Sequence, residues 1–127
     1  MEGIKVLLVD DEEDFRKTLA NRLRKRHFEV AEAEGGPQAL EALDRQTGDI
    51  VVLDVRMPGM DGLEVLKRIK EDHPQLEVIM LTGHASVESG IEGMRLGAFD
   101  YLMKPCSIDD LTVKIQDAYQ RKLALGE

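Results

Sequence analysis

The sequence predicts an α/β protein, a doubly wound parallel sheet with helices on both faces. Three observations lead there. Short apolar runs alternate with longer segments of helical period, giving five β-α units in 127 residues. Several runs are continuously apolar, the pattern of strands buried on both faces. Four of the runs end on a residue that can do chemistry: Asp10 and Asp11, then Asp54, Thr82 and Lys104.

The first strand covers residues 4–9, Ile-Lys-Val-Leu-Leu-Val. The first helix covers 14–26, with Phe15, Leu19 and Leu23 four residues apart. Glu12, Glu13 and Asp14 lead it and Arg24, Lys25 and Arg26 close it, which suits the helix dipole at both ends. Residues 29–33 alternate in polarity and read as a weaker strand nearer an edge. Pro37 fits the first position of a second helix, followed by Ala39, Leu40 and Leu43. The third strand, 50–53, runs into Asp54, and Leu63, Leu66 and Ile69 mark a third helix that stops before Pro74. The fourth strand, 77–81, runs into Thr82. Val87, Ile91 and Met94 mark a fourth helix, with Ser86 as its candidate N-cap and Gly97 as its stop. The fifth strand, 100–103, runs into Lys104. Leu111, Ile115, Ala118 and Tyr119 mark the fifth helix, with Ser107 as candidate N-cap. Met94 and Met103 are expected in the core or half-buried.

Composition sets the bounds. Hydrophobic residues make up 43%, which argues against disorder. Net charge is −8, which argues against a domain that grips nucleic acid or an anionic membrane through its bulk charge. The single cysteine, Cys106, can form no internal disulfide and no Cys-rich zinc site. The start lacks a basic region followed by a long apolar stretch, so no signal peptide is expected, and no apolar run is long enough to span a bilayer. The expectation is a single cytoplasmic domain over 1–127, with its core at about 4–123.

Ligands of open parallel sheets bind beyond the carboxyl ends of the strands. Alone, each strand-end residue reads as a helix cap or a solvated loop charge. Together they place three carboxylates, a hydroxyl and an ammonium at one edge. Carboxylates brought together repel one another unless a cation joins them. Hard oxygen donors without His or Cys suit Mg²⁺, and a Lys offers a point charge to phosphate oxygens. The combination suits phosphoryl transfer with a carboxylate as nucleophile. Neither a G-x-x-x-x-G-K-[ST] nor a G-x-G-x-x-G motif occurs to cradle a nucleotide.

These residues, in this order, resemble a response-regulator receiver domain of two-component signalling. The matching elements are Val9-Asp10-Asp11, the run from Asp54 through Pro58 and Gly59 to Asp61-Gly62, Leu81-Thr82-Gly83, Gly97 to Tyr101, and Lys104-Pro105. The resemblance covers nearly the whole chain. It implies a flavodoxin-like five-stranded sheet of order 2-1-3-4-5 with five helices. It implies Asp54 as phosphoacceptor, and Mg²⁺ held by Asp11, Asp54 and the Arg56 backbone carbonyl, with Asp10 acting through water. Lys104 would bind one phosphoryl oxygen and Thr82 another. Tyr101 would swing inward as the switch aromatic, and the surface of the fourth helix, fifth strand and fifth helix would carry the signal. The Lys104-Pro105 bond would be cis. Arg56 and His84 would line the entrance, and neither supplies a carboxylate or amide to position water, so slow to moderate self-dephosphorylation is expected.

The partners so implied are a sensor histidine kinase or phosphotransfer protein and a downstream effector or output domain. A monomer or a weak, phosphorylation-dependent dimer is expected. The chain reads either as a stand-alone regulator or as the N-terminal receiver of a longer one, and its stretch 81–105 is similar to receivers of enhancer-binding activators. Other readings fit less well. A haloacid-dehalogenase-type phosphatase wants a second carboxylate where Arg56 stands. A flavodoxin wants a phosphate loop where Asp10, Asp11, Glu12 and Glu13 would repel phosphate. A receiver acting by interaction alone would not need its intact acceptor residues.

Overall fold

A computed structural model of the chain describes residues 3–46, 48–55, 61–83 and 87–126. The elements are β1 (Lys5–Val9), α1 (Glu13–Lys25), β2 (Glu29–Ala33), α2 (Gly36–Arg45), β3 (Ile50–Asp54), α3 (Gly62–Asp72), β4 (Glu77–Thr82), α4 (Val87–Arg95), β5 (Asp100–Met103) and α5 (Ile108–Leu125). The strands are all parallel and lie in the order β2-β1-β3-β4-β5. Every residue of β3 and β4 is buried, which explains their unbroken apolar runs. The outer strands β2 and β5 alternate between covered and open positions.

Period-two alternation divides the core between two faces. Val6, Leu8, Ile50, Val52, Ile79 and Leu81 pack with Leu19, Leu23, Leu111 and Ile115 of α1 and α5. Leu7, Val9, Val51, Leu53, Val78 and Met80 pack with Leu43, Val65, Leu66 and Ile69 of α2 and α3. The expected cap at Ser107 forms, and Asp61 supplies one that the sequence did not single out. Ser107 Oγ accepts from the Asp110 N–H at 3.0 Å, and Asp61 caps α3 by accepting from Leu63 N–H at 3.0 Å. Each such cap stabilises its helix by ~1 kcal/mol. Gly97, at φ +104°, follows α4 as the expected stop. Pro37 sits in the first turn of α2, one residue later than expected. The expected cap Ser86 lies outside the described residues.

The fourth helix departs from its predicted face. Ile91 and Met94 are exposed, and so is Met103 on β5, where Met94 and Met103 were expected in the core or half-buried. The reason is that α4 meets the molecule through its glycines. Gly90 and Gly93 are buried, Gly90 under the Tyr101 ring and Gly93 against the Met80 thioether. A helix seated on glycines turns its large apolar residues outward.

Candidate site at the carboxyl ends of the strands

The strand register brings the predicted residues to one edge. Val9 pairs with Leu53, so Asp10 and Asp54 follow neighbouring positions on β1 and β3. Asp54 pairs with Leu81 and Thr82 with Met103, so Thr82 and Lys104 end β4 and β5 one step further on. Asp10, Asp54 and Thr82 are buried. The Lys104 backbone N–H donates to the Thr82 carbonyl at 2.7 Å and the Val55 N–H to the Leu81 carbonyl at 3.3 Å, tying the strand ends together. The Lys104-Pro105 bond is cis.

Lys104 is the centre of the charge arrangement. Its Nζ lies 2.6 Å from Asp10 Oδ2, 3.4 Å from Glu12 Oε1 and 3.5 Å from Asp54 Oδ2. Burial disfavours its charged form, but the close contact and charge of Asp10, with the charges of Asp54 and Glu12, outweigh this and raise its pKa. The ammonium is therefore charged at neutral pH. Asp10 is held on its other side as well, since its Oδ1 accepts from the Glu12 N–H at 2.9 Å.

Glycine is required beside Asp54. Gly62 N–H donates to the Val55 carbonyl at 2.9 Å, and a Cβ at Gly62 would stand 2.5 Å from Val55 Cα and 2.6 Å from the Asp54 carbonyl oxygen. Only a residue without a side chain lets α3 start directly behind the end of β3.

Among the described residues, Asp10, Glu12 and Asp54 each offer a carboxylate oxygen within 4.8 Å of the others. Asp10 Oδ2 is buried and makes no hydrogen bond of normal geometry, only the ion pair with Lys104. Two buried acids and one exposed acid, with no nitrogen or sulfur donor among them, fit a hard divalent cation such as Mg²⁺. Asp11, expected as a direct ligand, is exposed and stands outside this group of three, while Glu12 stands inside it. Arg56, Pro58, Gly59 and His84 lie outside the described residues.

Three residues matter here that the sequence reading passed over. Glu12 read only as an acid leading α1. Phe15 read as part of the helix period, yet its ring centroid lies 4.4 Å from Lys104 Nζ. Arg16 is buried, donates from Nη1 to the Asp10 carbonyl at 2.9 Å and pairs through Nε with Glu32 at 3.1 Å. A base on the apolar side of α1, between Phe15 and Leu19, was the available signal. The bases at the other end of α1 are partly structural. Arg24 Nη2 donates to the Val30 carbonyl at 2.9 Å, and Arg26 pairs with Asp109 at 2.6 Å.

Tyr101, the expected switch aromatic, lies on β5 beside α4. It is 37% exposed, with its ring against Gly90 of α4. Cys106 is half-buried, and burial pushes its thiol up, which makes it a poor nucleophile. No described helix is long and apolar enough to cross a membrane.

Comparison with known proteins points one way. A family model described as the response regulator receiver domain matches residues 6–116. The DNA-binding transcriptional regulator NtrC of Escherichia coli is 41% identical over 113 residues, covering 89% of this chain and 24% of that protein. The transcriptional regulatory protein ZraR of Escherichia coli is 40% identical over 117 residues, covering 92% of this chain and 26% of that protein. The chain thus spans about a quarter of the length of these curated relatives. A crystal structure of a response regulator receiver domain protein from Clostridium thermocellum matches with a TM-score of 0.91 at 34% identity, covering 95% of this chain and 98% of that one. NtrX from Brucella abortus, solved in complex with ADP, matches with a TM-score of 0.91 at 33% identity, covering 96% of this chain and 28% of that one.

Proposed function

Since the chain belongs to the response regulator receiver domain family and is a signalling module of two-component systems, we propose that Asp54 is its phosphoacceptor and that phosphorylation switches a distant surface. The observation that carries this is the buried Asp54 carboxylate with the Lys104 ammonium 3.5 Å from its Oδ2, beside Asp10 and Glu12.

The chemistry follows from charge. A carboxylate approaches an anionic phosphoryl donor against repulsion, and Lys104 offsets it. An Asp54 carboxylate oxygen forms the new O–P bond while the donor's bond to phosphorus breaks. The electron pair leaves on the donor, a histidine nitrogen of a sensor kinase or phosphotransfer protein, or the acyl oxygen of a small phosphodonor. Asp54 and Asp11, with the Arg56 carbonyl and Asp10 through water, are the residues that would hold Mg²⁺, and Glu12 is a further carboxylate at hand. Bound there, the ion would offset the charge of phosphoryl oxygens and lower the cost of bringing anions together.

The product adds roughly −1.5 to −2 charge and new acceptor oxygens beside Thr82 and Lys104. The Thr82 hydroxyl turns to one oxygen and Lys104 to another. The segment after Thr82 follows, and Tyr101 swings inward, biasing an equilibrium between two states of one fold. The surface affected is α4-β5-α5, where Ile91, Met94, Tyr101, Met103 and Val113 are exposed. That surface contacts a downstream effector, an output domain or, in the phosphorylated form, a second copy of the chain. The single domain over 1–127 works in the cytoplasm and, at net charge −8, does not itself bind nucleic acid.

The test is intact mass after incubation with acetyl phosphate, with and without Mg²⁺, on wild type and Asp54→Ala. A single phosphoryl adduct that needs both Asp54 and Mg²⁺ is expected. Wild type that stays unmodified in every condition would refute the reading.

A further inference from the structure

We infer that Phe15 is a positioning residue for Lys104, its ring holding the ammonium where it can pass from Asp10 to the phosphoryl group on Asp54. This rests on the reading of Asp54 as phosphoacceptor. Lys104 follows directly on β5, an edge strand, and carries its charge on a long flexible stem. At rest its Nζ is 2.6 Å from Asp10 Oδ2 but 3.5 Å from Asp54 Oδ2. As the Asp54 oxygen bonds to phosphorus and the donor bond breaks, the ammonium has to move toward the new oxygens. A carboxylate holds it at one point and releases it on moving. An aromatic face attracts a cation across its whole breadth, so a sideways shift over the ring loses little.

Phe15 is built for that task. Its ring centroid is 4.4 Å from Nζ, and the ring packs against the α1–α5 side of the core, which keeps it in place. The neighbouring Arg16 pins the first turn of α1 to the Asp10 carbonyl at 2.9 Å and to Glu32 at 3.1 Å. Ring and carboxylate are thus tied to each other, and the Lys104 ammonium rests against both. An aliphatic side chain would fill the same helix position but give the cation no attractive face.

The test compares Phe15→Leu, Phe15→Met and Phe15→Tyr in acetyl phosphate uptake at saturating Mg²⁺, with and without Lys104→Met. Phe15→Leu and Phe15→Met should slow uptake about threefold to tenfold, the range of a partly desolvated cation–π contact. Phe15→Tyr should restore most of the rate. In the Lys104→Met background Phe15→Leu should slow nothing further. Side-chain NMR gives an independent readout: the ring-current shift of the Lys104 ζ resonance should vanish in Phe15→Leu and persist in Phe15→Tyr. Normal uptake in Phe15→Leu and Phe15→Met, or an equal loss without Lys104, overturns the positioning role alone. Wild type that takes up no phosphoryl group overturns the Asp54 reading and the positioning role with it.

Discussion

The far end of β4 holds a buried acid whose loss of partner should be costly. Glu77 opens the strand and is 2% exposed. Arg121 of α5 donates to it from both Nε and Nη2, the latter at 2.8 Å, and lays its guanidinium 4.8 Å from the centroid of the Phe99 ring. Lys70 of α3 stands 3.8 Å from the same carboxylate and donates to the carbonyls of Pro74 at 3.0 Å and Leu76 at 2.8 Å. Arg121→Met leaves Glu77 with Lys70 alone. Removing one partner of a fully buried pair costs ~3–5 kcal/mol. Two features reduce this here. The Arg121 side chain is 42% exposed, so water can reach the vacated space, and Lys70 remains. The loss should be ~2–3 kcal/mol, including the stacking on Phe99. Urea unfolding should show a lower midpoint at unchanged slope. A melting point lower by roughly 6–15 °C should accompany it. The double variant Glu77→Leu/Arg121→Met should recover most of the loss, because the buried carboxylate is gone and Lys70 keeps its hydrogen bonds to the Pro74 and Leu76 carbonyls. Arg121→Met within ~0.5 kcal/mol of wild type would refute the argument, since that is the range of an ordinary surface substitution.

Three further outcomes are expected. Burial lowers the Lys70 pKa below 10.5, against the attraction of Glu77 and with the repulsion of Arg121, whereas the Lys104 pKa is raised above it. Below 10.5 the unfolded chain binds the Lys70 proton more tightly, so Lys70 makes stability rise with pH in that window; above 10.5 the folded chain holds the Lys104 proton, so stability falls as pH passes through the folded value. Unfolding curves of Lys70→Met and Lys104→Met across the alkaline range should each lack one of these slopes. His27 closes α1 at φ 72°, a left-handed conformation, and His27→Gly should stabilise the fold by up to ~1 kcal/mol in urea titration. A Cβ at Gly90 would stand 3.1 Å from Tyr101 Cζ, so Gly90→Ala should displace the ring from its outward seat. With no tryptophan and only Tyr101 and Tyr119 in the chain, tyrosine fluorescence reads this directly, and an unchanged spectrum would count against the seat.

Periodicity and strand-end chemistry carried most of this protein. The order of the β-α units, the two-faced burial of β3 and β4, and the meeting of Asp10, Asp54, Thr82 and Lys104 were legible because parallel strands deliver their terminal residues to one edge whatever the details of packing. The spacing of apolar residues does not say which side of a helix lies down when glycines compete for the contact. That is why α4 rests on Gly90 and Gly93 and leaves Ile91 and Met94 outside. Nor does spacing say which acid of a run turns inward. Asp10 is buried while Asp11 and Glu12 stay exposed, because the chain leaves a strand and enters a helix within three residues and each peptide turns its side chain in a new direction. Contacts between residues distant in sequence were the least legible. Lys104 over Phe15, and Glu77 between Lys70 and Arg121, exist only once the sheet brings the start of α1 near the residue after β5 and sets α5 against β4, and tertiary packing alone decides those distances.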